Sequence, residues 1–214
     1  PLEQFALLIS GIAHDMGHEG LNNDYLVQTD SHIVDSLGAD SPLEKLSVKI
    51  LHRIFDDYRD TTFEKWTQDD FNNLKELTDT AIIATDMSFH QKIVDNFKKC
   101  SKRKYSEEFK SSLLQMSIKV ADLSNVFRPI KTSKEWSRRV RKEFFNQGDL
   151  YKELNIPLQP MMDREANISV AQGQLGFMDY MVIPLVEAFC LTIPKALVWK
   201  ASLEENRKFW EKQN

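Results

Sequence analysis

The chain has 214 residues, 28 basic and 32 acidic side chains and a net charge of −4. That length suits one sizeable core and a single domain, and the weak acidic balance excludes non-specific nucleic-acid binding driven by phosphate neutralisation. No uninterrupted apolar run is long enough for a transmembrane helix and no secretory leader is visible. Cys100 and Cys190 form no CxxC pair, which excludes a cysteine zinc site and fits a reduced, cytoplasmic protein.

The seven glycines and the long 3.6-residue apolar periods predict an all-α chain. The first helix is expected over residues 3–16, with Phe5, Leu8, Ile9, Ile12 and Ala13 as its apolar face. It begins so soon after Pro1 that the chain reads as a segment of something longer. Leu43, Leu46, Ile50, Ile54 and Tyr58 make a second stripe. Thr67 with Asp70 three residues on has the pattern of a helix start, and Phe71, Leu74, Leu77, Ala81 and Ile82 follow it into Thr85-Asp86. The basic run 98–104 reads as a solvated loop. Phe109, Leu113, Met116 and Val120 lead to Asp122, and Trp136, Val140 and Phe144 form the next stripe. Leu175, Met178, Met181, Val182 and Leu185 form a late one that Pro184 should kink or break. Pro194 suits the first turn of the last helix, which carries Leu197, Leu203 and Trp210. No stretch alternates like a strand.

The chemistry concentrates in His14-Asp15-Met16-Gly17-His18-Glu19-Gly20-Leu21-Asn22-Asn23. Imidazole nitrogen and carboxylate oxygen together suit a borderline ion such as Zn²⁺, and a carboxylate can also bridge to a harder ion. His14 and His18 lie one helical turn apart, while Gly17 and Gly20 argue that the helix ends there, where side chains can converge. Asp122 follows an apolar stretch, Lys119-Val120-Ala121, where a carboxylate is costly to bury unless it is paired or ligates a metal.

His-Asp-(apolar)-x-His-x-Gly-x-x-Asn, ending at Asn23 and followed by Tyr25, resembles the signature of the class I 3′,5′-cyclic nucleotide phosphodiesterases, and the resemblance extends over most of the chain. It implies a compact multi-helix bundle of the HD-type phosphodiesterase catalytic domain. It also implies two divalent metals, Zn²⁺ in the tight site and Mg²⁺ or Mn²⁺ in the second. Ala121-Asp122-Leu123-Ser124-Asn125 resembles the family's second ligand segment, so the resemblance gives His14, Asp15 and Asp122 to the tight ion. Asp15 would also bridge to the second ion, in the arrangement where a bridging hydroxide attacks phosphorus in line. His18, Glu44 (in Ser41-Pro42-Leu43-Glu44) and Thr85 (in Ala84-Thr85-Asp86-Met87-Ser88) match residues that hold waters around the weaker ion. Read singly, Glu44 and Thr85 would be surface or capping residues; the joint match promotes them.

For the substrate, Gln174-Leu175-Gly176-Phe177-Met178-Asp179 resembles the purine-binding segment. Gln174 would read the base edge with its amide, and Phe177 and Val140 would clamp the ring. Phe144 would line the pocket floor and Asn125 would favour adenine. The partner implied is a small cyclic purine nucleotide, cAMP ahead of cGMP, with no nucleic acid and no membrane span. The stretch from Asn22 to Phe55 is similar to the fungal high-affinity cAMP branch. The family's His-Asn-x-x-His-Ala motif, which supplies the general acid and a fourth tight-site ligand, is not among these residues and is expected upstream of Pro1. The chain then corresponds to the C-terminal two-thirds of a catalytic domain. Gly17 stands where many relatives have Asp, and Ser47 where a His follows the family's Glu; both departures are expected to loosen the second metal site. Two other readings stand beside this one. A different HD-type metal phosphohydrolase would share His14, Asp15 and Asp122 but not need the Gln174/Phe177 clamp, and a catalytically inert helical interaction module would need neither.

Overall fold

The computed structural model describes residues 1–103 and 106–214, and among them every regular element is helical. The end of the basic run at Lys104 lies outside the described residues. The chain divides into two compact units, residues 1–122 and 123–214.

The described residues of the first unit hold seven α-helices: α1 (Leu2–Ala13), α2 (Asn23–Gln28), α3 (His32–Leu37), α4 (Pro42–Asp57), α5 (Gln68–Ile83), α6 (His90–Cys100) and α7 (Glu107–Asp122). Side-chain caps start several of them. Asn22 accepts the Tyr25 N–H, and Thr67 accepts the Asp70 N–H as its sequence pattern predicts. Pro42 occupies the first position of α4. The core gathers Ala6, Ala13, Leu51, Phe55, Phe63, Phe71, Leu74 and Ile82. Phe63 sits edge-on to Phe55 and Phe71, with ring centroids 5.6 and 5.5 Å apart, the geometry that ring quadrupoles favour. A smaller cluster of Leu26, Ile33 and Leu43 lies under α2–α4.

Two stripes differ from their sequence reading. In α1, Phe5, Ile9 and Ala13 face the core as expected, but Leu8 and Ile12 are exposed, because the helix is apolar around more of its circumference than one contact can cover. In α4 the buried stripe is Leu43, Ser47, Leu51 and Phe55, while Ile54 and Tyr58 are exposed.

The second unit opens with a 3₁₀ segment (Leu123–Phe127), followed by α8 (Ile130–Glu153), α9 (Val170–Phe177), a π-helical turn (Met178–Val182), α10 (Ile183–Thr192) and α11 (Leu197–Glu211). Ser169 and Gln172 form a capping box at the start of α9. Met178, Val182, Leu185 and Leu203 are fully buried. The expected stripe of α8 is turned outward. Trp136 and Val140 are exposed, and the buried side chains are Ser133, Ser137, Gln147 and Tyr151, with Gly148 beside them. Gly148 has a steric reason, since a Cβ there would overlap the Met162 carbonyl oxygen.

Pro184 is the second residue of α10, directly after the π turn. Proline offers no N–H to the preceding turn, and a π turn is one way to absorb the mismatch without ending the helix. Residues 170–192 therefore run as one helical segment of 23 residues, whose most apolar 18-residue window has mean hydropathy 1.5, long and apolar enough to cross a membrane by length and composition alone. This departs from the sequence expectation, in which Pro184 kinks or breaks the late stripe and no apolar run is long enough to cross a membrane. In the fold two acids of the segment are paired with α11, Asp179 with Arg207 and Glu187 with Lys200, and the apolar side chains of the segment supply much of the unit's core.

Candidate metal centre

α1 ends at Ala13, one turn earlier than its sequence period suggests, so His14 is the helix C-cap and Asp15 and His18 lie in the turns beyond it. Gly17 closes this turn at φ +80°. His14 Nδ1 lies 3.1 Å from the Gly11 carbonyl oxygen. With its proton there, the ring turns Nε2 outward, the usual way a ligating imidazole is oriented by a backbone acceptor. Nε2 is 3.4 Å from Asp15 Oδ2 and 3.4 Å from Asp122 Oδ1. Asp122 comes from the end of α7, so two sequence-distant carboxylates meet one imidazole. Without an ion, the hydrogen bond to Asp122 raises His14 to about 9, against the opposing effect of burial.

Among the described residues no group of three or more His, Cys, Asp or Glu side chains is placed so that it could hold a metal ion. The donor set nevertheless has the chemistry of a metal site: an oriented neutral-capable nitrogen and two carboxylate oxygens, the ligands that suit a divalent ion.

The remaining predicted residues fall around this group in different ways. His18 is exposed, and its Nδ1 accepts the Gly20 N–H at 3.0 Å. Glu44, in the first turn of α4, accepts a hydrogen bond from Asn23 Nδ2 at 2.9 Å, and Asn23 Oδ1 accepts the Leu43 N–H at 3.1 Å. The last residue of the signature thus ties the start of α2 to the start of α4. Burial raises the Glu44 carboxyl above its usual range. Thr85 is buried just past α5, its hydroxyl donating to the Ile82 carbonyl at 2.7 Å.

A network that sequence reading did not single out joins these elements. Asp86 accepts the Ser88 N–H at 2.7 Å and the Ser41 hydroxyl at 2.6 Å. Ser41 precedes Pro42 at φ 48°, so it fixes the entry to α4. Lys119, fully buried on α7, donates from Nζ to the Ala84 carbonyl at 2.9 Å and to the Thr85 and Asp86 carbonyls at 3.4 Å each. Burial lowers Lys119 to about 8, with the charges of Asp122, Asp86 and Glu44 opposing the fall. The one signal in the sequence was a lysine in an otherwise apolar stretch one turn before Asp122.

In the second unit Gln174 and Phe177 lie on α9, three residues apart, and both are half-buried. Gln174 Oε1 is buried without a hydrogen-bond partner, an arrangement that costs free energy until a donor arrives. Val140 is exposed, and Phe144 and Asn125 are half-buried.

Residues 1–202 match the family of 3'5'-cyclic nucleotide phosphodiesterases. The chain belongs to that family. It is 30% identical over 223 residues to "Probable 3',5'-cyclic-AMP phosphodiesterase pde-4" of Caenorhabditis elegans, a match that covers 98% of the chain and 33% of that protein. It is 32% identical over 190 residues to "High affinity cGMP-specific 3',5'-cyclic phosphodiesterase 9A" of Homo sapiens, covering 88% of the chain and 32% of that protein. A solved phosphodiesterase, "Structure of LmjPDEB1 in complex with IBMX", superposes with a TM-score of 0.91 at 28% identity, covering 99% of the chain and 65% of that structure. The chain thus spans about a third of the length of these curated relatives.

Two departures from the phosphodiesterase pattern have a local account. A Cβ on Gly17 would lie 3.0 Å from side-chain atoms of Leu46 and Ile50, and its positive φ disfavours any other residue, so the turn after His14 is built around glycine. Ser47, buried on α4, donates its hydroxyl to the Met16 carbonyl at 3.0 Å. The pair fastens α4 to the metal-centre turn by packing and one hydrogen bond.

Proposed function

We propose that this chain is the C-terminal two-thirds of a phosphodiesterase catalytic domain that hydrolyses 3′,5′-cyclic AMP to the 5′-monophosphate, with cyclic GMP the alternative substrate. The observation that carries the reading is the convergence of His14, itself oriented by the Gly11 carbonyl, with Asp15 and Asp122. These residues would hold Zn²⁺ in the tight site, with Asp15 shared by a second ion, Mg²⁺ or Mn²⁺. Bound there, the ions supply a nucleophile at neutral pH and neutralise charge on the phosphoryl oxygens.

The chain's own residues do the rest. Gly11 sets the His14 tautomer. Asn23 and Asp86 hold Glu44 and the Thr85 turn in place to order water around the second ion, with His18 contributing from the exposed turn. Gln174 presents a buried acceptor to a purine N–H, which adenine offers at N6 and guanine at N1. Phe177 and Val140 would hold the ring faces, and Phe144 would line the floor. Asn125 tips the reading to adenine. The relatives include both a cyclic-AMP and a cGMP-specific enzyme by name, so base preference rests on this chain's own residues. Two free cysteines support a cytoplasmic location.

The test is hydrolysis of cAMP and cGMP by the full-length protein with Zn²⁺ and Mg²⁺, alongside Asp122→Ala and Gln174→Ala. Asp122→Ala should lower kcat/KM by more than the roughly 10–100-fold typical of groups that only orient a ligand, and Gln174→Ala should erase purine preference. No turnover of either nucleotide by the folded, metal-loaded protein would sink the reading. Turnover indifferent to Gln174→Ala would leave a metal phosphohydrolase of another specificity.

A further inference from the structure

Lys119 is the only fully buried lysine among the described residues, and no step of the proposed reaction uses it. It lies three residues before Asp122, one helical turn back along α7. Its Nζ points to the carbonyls of Ala84, Thr85 and Asp86, which follow the end of α5. Carbonyls at a helix C-terminus lack intrahelical donors and carry partial negative charge, so a buried ammonium there satisfies them directly. The contact runs on by way of Asp86. Its Oδ2 takes the Ser41 hydroxyl and its Oδ1 takes the Ser88 N–H, and Ser41 stands immediately before the helix whose first turn carries Glu44.

We propose that Lys119 is a positioning residue that joins the two halves of the metal centre. It fixes the turn bearing Thr85 and, through Asp86 and Ser41, the start of α4 bearing Glu44, to the helix that ends in Asp122. The inference rests on the metal-centre reading above. Three acidic side chains, Asp86, Glu44 and Asp122, act on the Lys119 charge, so the lysine also offsets their mutual repulsion before any cation arrives. A role of this kind is felt at the second ion, whose surroundings Glu44 and Thr85 shape, more than at the tight ion, whose side-chain donors are His14, Asp15 and Asp122.

The experiment uses the full-length protein and two readouts besides turnover: zinc content by elemental analysis, and Mn²⁺ binding followed by electron paramagnetic resonance. Lys119→Met removes the ammonium and keeps the length of the side chain. Zinc content should be retained while Mn²⁺ affinity falls about tenfold, the scale seen when a group orienting a metal ligand is lost. Ser41→Gly removes the hydroxyl but accepts the positive φ, and should weaken Mn²⁺ binding in the same direction. It decides the matter if Lys119→Met does not fold. Unchanged Mn²⁺ affinity in the folded variants overturns the proposal, and so does a joint loss of zinc and Mn²⁺, which would mark a general structural role. Asp122→Ala separates the underlying reading: if that variant keeps its zinc, the metal centre itself is misassigned, whatever Lys119 does.

Discussion

The two units bury polar groups for different ends. In the first, Ser41, Thr85, Asp86 and Lys119 are all buried and are tied to one another or to the carbonyls around them. In the second, the buried polar side chains Ser133, Ser137 and Gln147 line one side of α8 while large apolar side chains, Trp136 and Val140 among them, are turned outward. A buried network fixes a few atoms closely, because every unmet donor or acceptor in a low-dielectric interior is costly. An apolar surface is forgiving about position but rewards anything that covers it. The first pattern holds atoms in fixed positions, and the second leaves apolar surface free to be covered.

The comparison can be broken at several points. The largest effect is expected in the aromatic core of the first unit: Phe55→Ala removes a ring packed on both Phe63 and Phe71 and should cost about 3–5 kcal/mol in urea denaturation. A cost below about 1 kcal/mol would mean the site collapses around the void. In the second unit Gly148→Ala forces a methyl against the Met162 backbone and should cost about 1–3 kcal/mol. A neutral result would show that the segment after α8 yields easily.

Next comes a pH test of the buried network. Lys119 is held down to about 8 from an ordinary 10.5. Between those values the unfolded chain carries a proton that the folded chain lacks, so this group makes stability rise with pH across that window. Below about 8 the full penalty is present. Lys119→Met should abolish that rise in the urea midpoint, and parallel profiles for the two proteins would show that burial of the charge is not felt.

The smallest effect is expected at the fork between Arg207 and Asp179, where Nε and Nη2 donate to the two carboxylate oxygens at 2.6 and 2.9 Å. The guanidinium holds the Asp179 carboxyl below its usual range, but both side chains are about one-third exposed. A double-mutant cycle should therefore return only about 0.2–1 kcal/mol of coupling. A larger value would place this pair among the ties that hold the π turn to α11.

Much of this was legible in the chain. Helix periods and the Thr67 cap are local facts, written in side-chain spacing and backbone preference, so the all-α class and the positions of α5 and α7 could be read directly, whereas α1 ends one turn before the stop that Gly17 suggested. His14, Asp15 and Asp122 could be singled out only through the resemblance of two motifs, and that His14 Nε2 stands 3.4 Å from both carboxylates was for the fold to decide. What the sequence could not determine was which of two apolar stripes a helix buries. α1 and α4 each carry more apolar surface than one contact covers, and only the neighbours decide that Leu8, Ile12 and Ile54 remain outside. The joining of residues 170–192 into one helical segment was likewise tertiary, since Pro184 reads as a kink or break, and the π turn before it and the α11 partners of Asp179 and Glu187 are seen only in the fold. Lys119 makes the same point most sharply. Its partners are backbone carbonyls more than thirty residues away, and a carbonyl has no letter in the sequence, so only the fold could show what the lysine holds.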